Sequence, residues 1–188
     1  AWASSDAVRP LVALLNSPLG PPPEVRSVSI EMSIEPVLSR CSIEALRLDG
    51  SNYAPGATVT GYATVRPFRQ WRQRIPIRFE IPERIKDGDY TLTACDAMKA
   101  LSARQKEAPY RFVARTNDEL LAAVQEIVEP EASRLYLRMP LKEGGVAIGP
   151  KPMADLPESR ARVLLEADPI DTKPFSRTLE RYVETEYV

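Results

Sequence analysis

Basic and aromatic side chains crowd the stretch RPFRQWRQRIPIRFEIP, residues 66–82. Proteins that grip single-stranded nucleic acid combine those residue types, a cationic groove along the backbone and rings on which bases stack. From Arg66 to Lys86 seven bases stand against two acids, Glu80 and Glu83. The spacing argues against a groove. Ile75, Ile77, Phe79 and Ile81 alternate with Pro76, Arg78, Glu80 and Pro82, the period of a half-buried strand, so Phe79 belongs with the core. Only Phe68 and Trp71 remain to form a platform, in an expected loop. The favoured reading is a solvated strand face with a basic loop. Phe68, Arg69, Trp71, Arg72 and Tyr62 are the candidate binding residues, for a polypeptide or a sugar rather than nucleic acid.

Other chemistry is narrowed by what the chain contains. It has no histidine, which excludes Ser-His-Asp and Cys-His catalysis and imidazole-based zinc sites. Paired carboxylates, a Ser-Lys pair or a tyrosine are left. Asp118-Glu119 and Glu126 with Glu129 have the spacing of solvated helix faces, and Ser102 near Lys99 or Lys106 does not stand out from background. Asp87-Gly88-Asp89 and the run 49–52 resemble calcium loops faintly but read as turn chemistry. Gly144-Gly145 lacks the Gly-Lys-Ser/Thr of a phosphate loop. Cys41 and Cys95 are either a disulfide or two thiols. The order Cys41, Trp71, Cys95 invites an immunoglobulin reading, yet the spacings fit it badly. No catalytic residue, metal or cofactor is expected.

The elements that must carry these residues are mostly short strands. Pro is frequent, 18 against 8 Gly, which favours brief elements bounded by prolines. A short helix is expected at 6–16 and a stiff proline-rich linker at 17–23. Period-two strands follow at 28–34, 43–48, 58–65, 75–81 and 90–94. Helical spacing runs over 97–106 and 117–128, with Thr116 or Asn117 as the cap. Leu135, Leu137 and Met139 predict another strand, 142–145 a turn and 146–148 a short strand. A proline-punctuated stretch at 150–157, a short helix at 160–165 and a final alternating strand at 178–188 complete the chain. The expected fold class is mainly β with an α+β extension: an immunoglobulin-like β-sandwich at 24–115 after the N-terminal helix and linker at 1–23, with a smaller α/β segment at 116–188. Net charge of −1 over 188 residues supplies no global field toward nucleic acid or an anionic membrane. Apolar runs are too short for a transmembrane segment. A start without Met suggests a processed product or a piece of something longer.

The run Tyr53-Ala-Pro-Gly-Ala-Thr-Val-Thr-Gly-Tyr-Ala-Thr-Val-Arg-Pro-Phe-Arg69, followed by Ile81-Pro-Glu-Arg-Ile-Lys-Asp-Gly-Asp-Tyr-Thr-Leu92, resembles a bacterial extracytoplasmic module. It is similar to the immunoglobulin-like region behind the catalytic part of SpoIVB-type serine peptidase-like proteins. Gly145-Val-Ala-Ile-Gly149 with Leu156-Pro-Glu-Ser159 is similar to a second pattern there. The resemblance spans about residues 24–165. It implies a non-catalytic, exported C-terminal region, since the family's nucleophilic serine and histidine lie in the part that would precede this one. The expected function is a structural or protein-interaction module, accessory to a peptidase-like region and extracytoplasmic. Its partner would be another protein or a neighbouring domain of the same polypeptide. A carbohydrate-binding module using Trp71 and Tyr62 on a polysaccharide is the alternative, and a carboxylate hydrolase a third reading.

Overall fold

The computed structural model describes residues 16, 19, 26–27, 41–154, 156–168 and 171–186. The helix, linker and strand expected at 6–16, 17–23 and 28–34 lie outside this set, save Asn16 and Leu19. The described residues form seven strands in two antiparallel sheets, with three α-helices. β1 (Cys41–Leu48), β2 (Thr58–Pro67) and β3 (Gln73–Glu80) make a three-stranded meander. The second sheet joins β4 (Thr93–Cys95), β5 (Arg134–Ile148), β6 (Lys151–Ala154) and β7 (Thr172–Glu184), with β4, β6 and β7 all pairing to β5. Between them run α1 (Ala97–Glu107), a short 3-10 turn at Pro109–Phe112, α2 (Asn117–Val128) and α3 (Glu158–Ala167). No helix among these residues is long and apolar enough to cross a membrane.

The chain divides into two compact units assembled from separated stretches, where the sequence reading divides it serially at 23 and 115. One unit comprises Glu35–Ser102, Glu131–Lys142 and Arg177–Val188. Its core shows why β3 is a strand. Ile75, Ile77 and Phe79 are buried while Arg74, Pro76, Arg78 and Glu80 are exposed, so a pleat of period two places every apolar side chain on one face. Val59, Ala63 and Val65 of β2 join them, and Leu135, Leu137 and Met139 of β5 close the cluster from the second sheet. Two antiparallel sheets thus share one apolar layer. β5 is buried without a break from Leu135 to Met139. Its odd residues enter that layer, while Tyr136 packs with Cys95, Ala97 and Ala100 at the start of α1. Asp96 caps α1, its Oδ1 accepting the Lys99 N–H at 2.8 Å.

The other unit comprises Ala1–Ile34, Ala103–Pro130 and Glu143–Ser176. Thr116, not Asn117, caps α2: its Oγ1 accepts the Glu119 N–H at 3.3 Å, and the Glu119 carboxylate accepts the Arg115 N–H at 2.7 Å. This reciprocal arrangement satisfies amides that the first turn would otherwise leave open. Tyr110 meets Phe175 edge to face with ring centroids 5.1 Å apart.

Three sequence expectations are corrected here. The turn at 142–145 and the separate strand at 146–148 are one continuous strand, β5. Gly144 and Gly145 are extended, and their missing side chains let neighbouring strands approach: a Cβ on Gly144 would strike the Phe175 carbonyl oxygen, and one on Gly145 that of Met153. The proline-punctuated stretch contains a strand, β6, which accommodates Pro152 because β6 pairs only with β5 and leaves one edge needing no donor. The strand expected at 90–94 is reduced to Thr93–Cys95, although Tyr90 and Leu92 still pack on the core.

Candidate interaction surface

The five candidate binding residues all belong to the β2–β3 hairpin and its exposed face. Pro67 is buried at the end of β2 and its carbonyl accepts the Gln70 N–H at 3.2 Å, so the loop turns back tightly over 67–70. Arg69 takes the left-handed conformation there, with φ 58°, a setting that a non-glycine residue adopts at some cost. The turn throws its rings outward. Phe68 is 48% exposed and Trp71 89%, and the Arg69 guanidinium lies 5.1 Å from the Phe68 ring centroid. A tryptophan so exposed forgoes the roughly 1.5–3 kcal/mol that burying a large apolar side chain contributes, and it is held out by a turn anchored in the core.

Electrostatics on the outward face are organised by Glu44, a residue the sequence did not single out. β1 pairs with β2 in a register that shifts between Ile43 and Ala45, making Glu44 the extra residue of a β-bulge. Its carboxylate accepts the Arg72 Nε–H at 2.6 Å and lies 3.8 Å from Arg66. Both arginines are well exposed, so each pair contributes at most about 1 kcal/mol and serves to orient the base of the loop. The broken alternation of β1 was the available signal: Cys41 and Ile43 face inward at odd positions, whereas the next inward residue is Leu46.

Farther along the face, Tyr62 stands opposite Pro76 and Arg47, and the Arg74 guanidinium lies over its ring, 4.8 Å from the centroid. Trp71 and Tyr62 hold different places along the hairpin: Tyr62 pairs with Pro76, about 10 Å of strand beyond Gln73, whereas Trp71 precedes the start of β3 at Gln73, and one face of the tyrosine is occupied by Arg74. Phe68, Arg69, Trp71 and Arg72 form one contiguous tip.

The remaining candidates are placed elsewhere. Cys41 and Cys95, for which the sequence leaves both a disulfide and two thiols open, are free thiols, one half-buried in β1 and one buried in β4. Burial pushes the Cys95 thiol up to about 11 and also raises Cys41. In the fold the protonated Cys95 thiol is favoured, so the unfolded chain releases this proton first, beginning near its ordinary value of 9.0. Stability contributed by Cys95 is therefore intact below that value and declines as pH rises toward about 11. Native-state alkylation at pH 8 is expected to label Cys41 well before Cys95, because only thiolate reacts; mass spectrometry of the digested protein checks the order, and equal rates would contradict it.

Two carboxylates at the C-terminal end of α2, Glu126 and Glu129, are held in ion pairs. Glu126 binds Arg111 and lies 3.9 Å from Arg104, which also binds Glu129 at 3.2 Å. Asp49 accepts the Thr60 hydroxyl at 2.6 Å, and no cluster of three or more His, Cys, Asp or Glu suited to a metal ion is found among the described residues. Comparison with protein-family models, curated proteins and solved structures finds no match.

Proposed function

We propose that the chain is a non-catalytic protein-interaction module whose contact surface is the tip of the β2–β3 hairpin with the outward face behind it. The single observation that carries this reading is Trp71, 89% exposed beside the exposed Phe68, Arg69 and Arg72 on a rigid stem. Tryptophan and arginine dominate the energetic centres of protein interfaces, and an anchored turn presents them at little cost in ordering entropy. Arg47 and Arg78 lie exposed on the same face, which favours an acidic partner surface.

As a scaffold, two antiparallel sheets around one apolar layer suit an immunoglobulin-like sandwich, though the disulfide and buried tryptophan of antibody domains are absent among the described residues. Extracytoplasmic placement beside a bacterial peptidase-like region, with a neighbouring domain or a separate protein as partner, rests on the motifs at 53–69 and 81–92. The ion pairing of Glu126 and Glu129 and the lack of histidine favour binding over catalysis. The stacking of Arg74 on Tyr62 favours a protein over a polysaccharide.

A photo-activatable phenylalanine analogue at position 71, compared with one at the exposed Arg162 on α3, tests the reading in the native polypeptide. A discrete cross-linked protein or domain from position 71 alone is expected. Glycan binding abolished by Trp71→Ala, or turnover on a panel of esters, glycosides and peptides, would overturn it.

A further inference from the structure

At the other end of the three-stranded sheet, about 25 Å along β2 from the hairpin, the first unit contains a cleft of about 290 Å³. Its floor is apolar, built from Val59, Phe79 and Met139 of three different strands. Its walls are the loops around Tyr53 and Tyr90, and each is braced internally. Tyr53 Oη accepts the Gly50 N–H at 2.9 Å and donates to the Gly50 carbonyl at 3.0 Å. Tyr90 Oη donates to the Lys86 carbonyl at 2.8 Å. Two backbone bonds, Gly56 N–H to Pro82 at 3.3 Å and Ile81 N–H to Ala57 at 3.0 Å, tie the two walls to each other. The cleft is thus shaped before anything enters it, a condition for binding without an ordering penalty.

We propose that this cleft binds a small neutral aromatic molecule of about two fused rings carrying one hydrogen-bond donor. Size points to two rings: the volume is roughly twice the ~150 Å³ of a cavity that holds benzene and sits at the lower bound of about 300 Å³ for small-molecule pockets. The donor is called for at the mouth, where the exposed side chains of Asn52, Asp87 and Asp89 offer oxygen acceptors and two ammoniums, of Lys86 and of Lys142 beside Gly88 and 5.4 Å from the Tyr90 ring centroid, balance the two carboxylates. With two carboxylates set against two ammoniums, the mouth carries no net charge that would repay the desolvation of an ionic ligand. A fully apolar ligand would leave those acceptors to water. The site does not depend on the hairpin reading.

Titration of the isotope-labelled protein with indole, followed by amide chemical shifts, tests the proposal. Saturable shifts at Asn52, Tyr53, Gly88 and Asp89 are expected, with residues 68–72 unmoved and Trp71→Ala binding as the parent does. Ile85→Trp, which fills the cleft from its wall, should abolish the shifts while keeping the parent melting midpoint. If that variant does not fold, Asn52→Ala and Asp89→Ala on the exposed rim should each weaken indole binding several-fold. The proposal is overturned by an absence of saturable shifts up to the solubility limit of indole, by undiminished binding in a folded Ile85→Trp or in both rim variants, or by naphthoate binding as tightly as naphthol.

Discussion

Ile77→Ala is expected to lower the free energy of unfolding by about 2–5 kcal/mol, whereas Arg78→Ala, one residue on, should change it by less than about 0.5 kcal/mol. Ile77 is 1% exposed and packs in the layer that both sheets share. Truncation removes three carbons from water-free surroundings and leaves a void that strands on both sides hold open, so the transfer and cavity costs add. Arg78 faces solvent opposite Thr60, where loss of its stem costs little. Denaturant titration followed by far-ultraviolet circular dichroism, with the slope required to stay constant, measures both. A larger loss at 78 than at 77 would mean that β3 presents the opposite faces to core and solvent, and equal losses that neither face is preferentially buried.

Glu180→Ala should destabilise the fold by about 3–5 kcal/mol. Glu180 of β7 accepts the Arg138 Nε–H at 2.7 Å, and the two side chains are only 17% and 6% exposed. Arg138 sits in the uninterrupted buried run of β5, so deleting the carboxylate strips a desolvated guanidinium of a close counter-charge. Replacing both members by apolar residues of similar bulk, Arg138→Met with Glu180→Leu, is expected to recover most of the loss, because neither ion then has to leave water. The same denaturant series distinguishes these cases. A loss below about 1 kcal/mol for Glu180→Ala would show that water reaches the pair and screens it.

These expectations draw unequally on what the sequence made visible. The inward set on β3 was legible because alternation is a property of a few consecutive residues. The helices at 97–106 and 117–128 were legible for the same reason, and both appear within a residue of their expected ends. The run 142–145 misled because Lys-Glu-Gly-Gly has the composition of a turn, while what keeps it extended is the close approach of strands about 10 and 30 residues away. At the candidate surface, Phe68, Arg69, Trp71 and Arg72 were identifiable as a tip once the strands on either side were placed. Glu44 was hidden, since its role follows from an ion pair with Arg72 across 28 residues and from a bulge that shows in the sequence only as a slipped alternation. The separation of Tyr62 from Trp71 was equally invisible, being set by how far β3 runs before its strand partner comes level.

By itself the sequence determined which side chains turn inward on β2 and β3, where helices start, and that histidine chemistry is absent, because backbone stereochemistry imposes those periods locally. Only the tertiary structure decided which carboxylate meets which guanidinium, that Gly144 and Gly145 run straight, that the two thiols are unbridged, and that Tyr53, Tyr90 and Met139 enclose one cleft. Those outcomes depend on chain segments far apart in number, and no local period encodes the distance between them.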